Sequence, residues 1–304
     1  MEKLDYTHFL SKFTPFYIDE EFDKQVILEI NSEVEKYKNL INSLGSFEGV
    51  DIFIKEHTNA LKILLSLTDL SSEKFKRIVT TVRMEEGEIP RTEWNLKKIR
   101  SSMLQNSDFN KKIINLFILG NSSLLGNTIP TYFLENTTLN KNSLEKLSDE
   151  FYLKRILKKV GDGKYNNNVG DRVEDKIEEK LKELGEKYDF SYSREKFVPW
   201  IKRNMDFAIP NEQDPYIIIE SSFQVTTGSG QTTKRNDMVS TSETIRGHNI
   251  QHDKKIAFVN FLDGAGWIGR QADLKRIYNC SDYVINLKTL NLLEDIILKH
   301  LINK

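Results

Sequence analysis

Two kinds of hydrophobic pattern divide the chain. In the first half, apolar residues recur at three- and four-residue steps, as in 22–44, 60–70 and 143–160, and this spacing predicts amphipathic helices. Little in this half alternates between apolar and polar as half-buried strands do. We therefore expect an all-helical domain at the N-terminus.

A stretch rich in glycine and asparagine, 161–171, follows the helical half. Both residue types tolerate left-handed backbone angles, so the stretch favours a loop. We place the domain boundary here, with a helical domain over 1–160 and a second domain over 161–304.

The second half mixes the two patterns. An amphipathic helix over 172–185 precedes strand-like runs at 204–210, 216–225, 255–264 and 282–287, with helical segments between and after them. Strands separated by helices predict an α/β fold, a mixed sheet flanked by helices. The continuous apolar run 216–219 is typical of a central strand that is covered on both faces.

Composition limits the classes of partner. The chain has 44 Lys and Arg against 45 Asp and Glu, a net charge of −1, so a nucleic acid or a membrane surface would need a local basic patch. Its one cysteine, Cys280, cannot form an intramolecular disulfide, and the N-terminus has no signal-type apolar core. Because the apolar runs are too short to cross a bilayer, we expect a soluble cytoplasmic protein without membrane association.

Two acidic residues interrupt the predicted strands. Asp206 lies inside the apolar run MDFAI, and Glu220 ends the run IIIE, with the turn-forming residues PNEQDP between them. If the strands pair across this turn, the two carboxylates converge at one end of the sheet. A hard divalent cation such as Mg²⁺ would offset the cost of burying them.

Neighbouring residues extend this candidate site. Strand alternation puts Glu220, Ser222 and Gln224 on one side and Ser221 on the other. The following segment, TTGSGQTTKRND, is a turn that leads into a basic helix start.

Basic residues at and beyond this turn are candidates for binding phosphate. Backbone N–H groups of the turn, with Lys234 and Arg235, could hold phosphate oxygens, and Arg246 and Arg270 lie farther along.

Plainer interpretations remain for each feature. Strand-end carboxylates are common at sheet edges, and the glycine-rich turn, which lacks the spacing of a P-loop, could be an ordinary flexible loop. His248 and His252 fit surface or core positions better than ligand positions, and Cys280 fits a small buried residue.

Several motifs, in order, resemble a known group of enzymes. VGDRVE, MDFAI, IIESSF followed by TTGSGQ, and DGAGW resemble the core motifs of PD-(D/E)XK nucleases. More narrowly, 169–287 resembles type II restriction endonucleases of the DpnII/MboI kind. The helical first half is only loosely similar to the N-terminal region of that group.

The resemblance implies an endodeoxyribonuclease that cuts double-stranded DNA at a short palindromic site, acts as a homodimer, and uses Mg²⁺ but no organic cofactor. It implies that Asp206, Glu220 and the Ser221 carbonyl bind the metal, with Glu174 as a supporting acid. The helical domain would then dimerise or clamp the DNA.

The chain departs from the superfamily at one position. Most members have lysine two residues after the glutamate, where this chain has Ser222. Gln224 or Lys234 could substitute for it. Two alternatives therefore stay open: a catalytically silent DNA-binding or scaffold protein on the same fold, and a structure-specific repair nuclease.

Overall fold

The computed structural model describes residues 2–38, 43–135, 137–145 and 149–302. The chain forms two compact units, Glu20–Gly163 and a second unit built from Met1–Asp19 together with Lys164–Lys304. The second unit thus includes an N-terminal segment that the predicted domain 1–160 assigns to the helical part.

In its described residues the first unit contains helices joined by turns and no strand, as the apolar spacing predicts. Its helices are α2 Glu20–Lys38, α3 Phe47–Glu56, α4 Ala60–Leu67, α5 Ser72–Glu85, α6 Leu96–Gln105, α7 Ser107–Leu119, α8 Thr131–Leu134, α9 Lys141–Glu145 and the start of α10 Glu150–Tyr188. Their apolar faces form one core, which includes Phe53, Phe75 and Phe117. The predicted helix 22–44 corresponds to α2, and its residues 39–42 lie outside the described residues.

The predicted loop over 161–171 is wrong, because α10 runs through it without a break. Apolar residues hold the helix on both sides of the stretch, with Leu153 and Leu157 buried before it and Val169 and Val173 buried after it. Tertiary packing of these residues outweighs the low helix propensity of the glycines and asparagines.

The second unit contains a five-stranded sheet in the order β1-β2-β3-β4-β5. The strands are β1 Ser193–Val198, β2 Arg203–Ile209, β3 Ile217–Phe223, β4 Ala257–Asp263 and β5 Tyr283–Ile285. β1, β2 and β3 pair antiparallel, whereas β3, β4 and β5 pair parallel. The predicted α/β class with a mixed sheet is confirmed, although β1 has no counterpart among the predicted strands.

Helices connect and cover the sheet. They are α1 Tyr6–Ser11, the later part of α10, α11 Ser229–His252, α12 Ala265–Ile268, α13 Gln271–Cys280 and α14 Leu292–Ile297. α11 links β3 to β4, and α12 and α13 link β4 to β5. All seven residues of β3 are buried, so the run 216–219 does mark a central strand. Within the described residues, none of the helices combines the length and apolarity that crossing a membrane requires.

Candidate active site

The two predicted carboxylates meet where the β2–β3 pairing ends. Phe207 pairs with Ile219, and the next residue along each strand is Asp206 on β2 and Glu220 on β3. Instead of a further backbone pair, the Ser221 N–H donates to Asp206 Oδ2 at 2.6 Å. The Asp206 carboxylate therefore takes the place of a ladder acceptor, and this fixes its position beside Glu220.

Lys234 of α11 lies between the two carboxylates. Its Nζ donates to Glu220 Oε2 at 2.9 Å and is 3.7 Å from Asp206 Oδ2. α11 begins at Ser229, directly after the glycine-rich turn, and this brings the lysine back over the end of β3. Burial alone would lower the pKa of Lys234, but the charges of Glu220 and Asp206 outweigh it and raise this pKa.

Glu220 is a buried acid with one oxygen left over. Its side chain is 0% exposed, and Oε2 accepts both from Lys234 and, at 3.5 Å, from Arg203 Nη2. Oε1 is buried and has no hydrogen-bond partner. Burial raises the pKa of Glu220, and the Lys234 ammonium opposes this. An unpaired carboxylate oxygen at such depth is costly unless a cation or water occupies the space next to it.

A third acid, Glu174 of α10, stands near the pair. Burial, followed by the Asp206 charge, raises the pKa of Glu174 to about 7. Arg194 of β1 is 3.8 Å from Glu174 Oε2 and also binds Glu178, so it ties this turn of α10 to the sheet. The geometry is compatible with the supporting role that the resemblance implies for Glu174.

The donor set fits a hard cation. Asp206, the unpaired Glu220 Oε1 and the Ser221 carbonyl are oxygen donors of the kind that Mg²⁺ accepts alongside water. Over the described ranges, no group of three or more His, Cys, Asp or Glu side chains is arranged to hold a metal. A cation here would therefore depend on two carboxylates, backbone oxygen and water.

Ser222 and Gln224, the other predicted site residues of this strand face, are in contact with each other. Gln224 Nε2 donates to Ser222 Oγ at 3.2 Å, and the Ser222 carbonyl accepts from Trp267 Nε1 at 3.2 Å. The two side chains lie on one side of the strand, as alternation predicts, but they bind each other. Of the two candidates to replace the missing lysine, Lys234 is the one in contact with Glu220.

The other predicted DNA-binding cations have partners within the protein. Arg235 Nη1 is 3.2 Å from Asp273 Oδ1, Arg270 donates to Asp273 and to Thr232, and Arg246 donates to the Cys280 carbonyl at 3.0 Å. These contacts join α11 to the region of α13. A role for these arginines at phosphate stays a prediction.

Arg203 is a site residue that sequence reasoning missed. It begins β2, donates to Thr241 Oγ1 at 3.1 Å and reaches Glu220 as described above. The sequence signal is slight, a basic pair before the apolar run MDFAI. Only the pairing of β2 with β3 and the packing of α11 bring Arg203 to the carboxylates.

The site lies within the part of the chain that matches a known family. Residues 141–301, more than half of the 304 residues, match the BanI C-terminal domain, a type II restriction enzyme domain. Neither the curated proteins nor the solved structures include a match to the chain. The narrower likeness to the DpnII/MboI kind stays a prediction. By the extent of the match, the chain belongs to the family of the BanI C-terminal domain.

Proposed function

We propose that the protein is a Mg²⁺-dependent type II restriction endonuclease with a PD-(D/E)XK-type core, which hydrolyses phosphodiester bonds of double-stranded DNA at a short palindromic site. One observation carries the proposal. Asp206 and Glu220 converge where the β2–β3 pairing ends, with the Lys234 ammonium within 3.7 Å of both. This combination of two acids and a lysine is the one that the motif name describes, although the lysine comes from α11.

Asp206, Glu220 and the Ser221 carbonyl would hold the metal, which supplies Lewis acidity at the scissile phosphate and lowers the pKa of a bound water. Lys234 would orient the attacking water and stabilise the negative charge that develops on the phosphate oxygens. The water oxygen bonds to phosphorus, the P–O3′ bond breaks, and the 3′ oxygen takes a proton. The products are a 5′-phosphate and a 3′-hydroxyl.

Lys234 removes the main objection from the sequence. With Ser222 where the superfamily has lysine, the chain could be a catalytically silent DNA-binding protein. An ammonium that binds Glu220 from the next helix supplies the missing charge, and this favours the nuclease over the silent alternative.

A palindromic target is matched by a reader with two-fold symmetry, so we expect a homodimer. The helical unit would serve dimerisation or clamp the duplex. Sedimentation equilibrium of the full chain with and without duplex DNA measures the oligomeric state, and a monomer in both conditions would contradict the dimer.

A digest of DNA of known sequence tests the nuclease proposal. With Mg²⁺ we expect a discrete set of fragments whose sequenced ends share one short palindrome, and after EDTA treatment we expect none. Smeared products or cleavage confined to branched DNA would instead favour a structure-specific nuclease. Cleavage that persists after exhaustive EDTA treatment would contradict the proposed dependence on Mg²⁺.

Variants separate chemistry from binding. Glu220→Gln should reduce cleavage by about 100-fold or more, because it removes a metal ligand. Ser222→Ala is the matched control on the same strand, and it should cost much less, because the hydroxyl that it removes accepts from Gln224 while the carbonyl that accepts from Trp267 remains. Gel shifts without metal should show Glu220→Gln still binding DNA. Loss of binding by a folded variant would make Glu220 a structural residue.

A further inference from the structure

A polar pocket adjoins the candidate site on the side of Arg203. It has a volume of about 330 Å³ and is lined by Ile201, Arg203, Asp237, Ser240, Thr241 and Thr244. The last four residues recur at three- and four-residue steps on α11 and so form one face of that helix. The pocket therefore lies between this face and the start of β2.

Arg203 gives the pocket hydrogen-bond donors. Its guanidinium donates one hydrogen bond to Thr241 Oγ1 at 3.1 Å and a longer one to Glu220 Oε2 at 3.5 Å. The Arg203 side chain is 29% exposed, so part of its planar fork is accessible, and the fork carries further N–H groups that can donate to an occupant of the pocket.

Asp237 gives the same pocket an acceptor. It lies three residues after Lys234 on α11. Its carboxylate forms no hydrogen bond or ion pair with the described parts of the chain, and Arg203 is too far away for an ion pair. The Arg203 guanidinium and the unpaired Asp237 carboxylate thus line the same pocket. This pocket lies next to Asp206 and Glu220, which would bind the metal.

The far wall of the pocket is held in place. Trp200, in the connection between β1 and β2, stacks on His248 of α11 with ring centroids 4.1 Å apart and planes at 17°. This contact fixes the connection that carries Ile201 against α11. A preformed site loses less conformational entropy on binding than a flexible one.

The pairing of Arg203 with Asp237 favours an occupant that carries both donors and acceptors over a phosphate. A phosphate offers only acceptors and a negative charge, so Asp237 would repel it. The edge of a base pair offers both donors and acceptors. In the major groove, arginine matches O6 and N7 of guanine, and a carboxylate matches the N4 amino group of cytosine.

We propose that this pocket reads a G·C base pair of the bound duplex, with Arg203 binding the guanine edge and Asp237 the cytosine amino group. The proposal rests on the proposed function only in taking duplex DNA as the substrate. It assigns one position of the recognition site to two named residues.

Selection from random duplex DNA tests this without cleavage. The full-length protein, in EDTA, is incubated with a library of random duplexes, and the bound fraction is sequenced. Wild type should select a motif that contains an invariant G·C pair. Asp237→Asn should lose about 5- to 150-fold of the discrimination for cytosine at that one position and keep the rest of the motif.

Glu243→Gln is the matched control, because it removes an exposed acid from the same helix outside the pocket. It should leave the motif unchanged. Asp237→Ala should repeat the result of Asp237→Asn, and thermal melts should match wild type for both, since Asp237 has no partner to lose.

Three results would overturn the proposal: a wild-type protein that selects no motif, an Asp237→Asn variant with the wild-type motif, or a uniform rise in affinity for all DNA. A uniform rise in affinity would mean that the pocket faces the phosphate backbone of the DNA and not the base edges. A protein that selects the G·C motif but never cuts DNA with Mg²⁺ would defeat the nuclease proposal and leave the pocket assignment standing.

Discussion

Burying the Glu220 carboxylate is the main electrostatic cost of the candidate site. It is fully buried on a central strand, and Lys234 and Arg203 share its Oε2 while Oε1 stays unpaired. A buried ion pair of this kind is weak evidence for stability, because desolvation offsets much of the attraction, but removing one partner leaves an uncompensated charge. The contact therefore makes a stability prediction as well as a catalytic one.

Removing the ammonium should destabilise the metal-free protein. We expect Lys234→Met to lower the free energy of unfolding by about 3 kcal/mol, at the low end for a broken buried pair because Arg203 remains near Glu220. Lys255→Met, an exposed lysine just before β4, is the control and should change stability by less than about 0.5 kcal/mol. Urea unfolding in EDTA measures both.

A double variant checks that the effect belongs to the pair. Lys234→Met with Glu220→Gln removes both charges, and it should recover part of the stability that Lys234→Met alone loses, since contacting residues are not additive. Additive losses would mean that the two side chains act independently and that the 2.9 Å contact carries no coupling.

At this scale the sequence predicted the acids better than the cations. Asp206 and Glu220 stand out because each interrupts an apolar strand and a turn lies between them, so their convergence follows from hairpin geometry. Arg203 has no such signal, and the sequence names Lys234 only as a phosphate-binding candidate and as one of two candidates to replace the missing lysine. Their positions depend on how α11 packs against β2 and β3, and no local pattern encodes that packing.

The secondary-structure elements show the same division. β3 and β4 are buried throughout, each begins with a run of mostly apolar residues, and both were predicted within two residues at each end. β1 was missed, because it is an edge strand next to β2 in the described sheet, and only one of the six residues in SREKFV is buried. The strand therefore forms because it pairs with β2, and its own sequence shows no strand pattern.

α10 supplies the prediction at this scale. Gly161 and Gly163 lie inside the helix, and an added Cβ at either would meet no atom within 4 Å. We expect Gly161→Ala and Gly163→Ala to stabilise the protein by about 0.5–1 kcal/mol each, because alanine costs less backbone entropy in a helix. Thermal unfolding measures the change.

Gly87→Ala provides the opposite control. Gly87 has φ +82°, which alanine adopts only with strain, so this variant should destabilise the protein. If Gly161→Ala and Gly163→Ala also destabilised it, the stretch would be the loop that its composition predicts, and α10 would be interrupted there in solution.

At the scale of the whole molecule, the sequence predicted a helical half and an α/β half but not the membership of the first residues. Met1–Asp19 belongs to the unit with the sheet. Phe9 and Phe13 pack in a cluster with Met238, Leu262, Trp267, Leu274, Ile277 and Val284. Sequence patterns report local periodicity and cannot show that a segment packs against residues far along the chain.

One buried acid fastens this segment to the sheet. Asp263, at the end of β4, accepts from the N–H groups of Thr14 at 2.6 Å, Gly264 at 2.9 Å and Leu287 at 3.1 Å. The Phe9 carbonyl accepts from Asn286, and the Phe13 carbonyl accepts from Lys288. The motif DGAGW, which entered the sequence comparison as a nuclease feature, thus begins with a residue that anchors the N-terminus.

The N-terminal segment should therefore be required for the stability of the unit that carries the candidate site. In the full chain, Phe9→Ala should lower the free energy of unfolding by about 3–5 kcal/mol, because it leaves a cavity in a fully buried cluster. Phe16→Ala is the matched control, since Phe16 is 62% exposed and its loss should cost less than about 0.5 kcal/mol. Fluorescence of Trp267, which lies in the same cluster as Phe9, follows the unfolding of this unit once Trp94 and Trp200 are replaced by phenylalanine. Equal stability of the two variants would mean that residues 2–19 lie on the unit without supporting it.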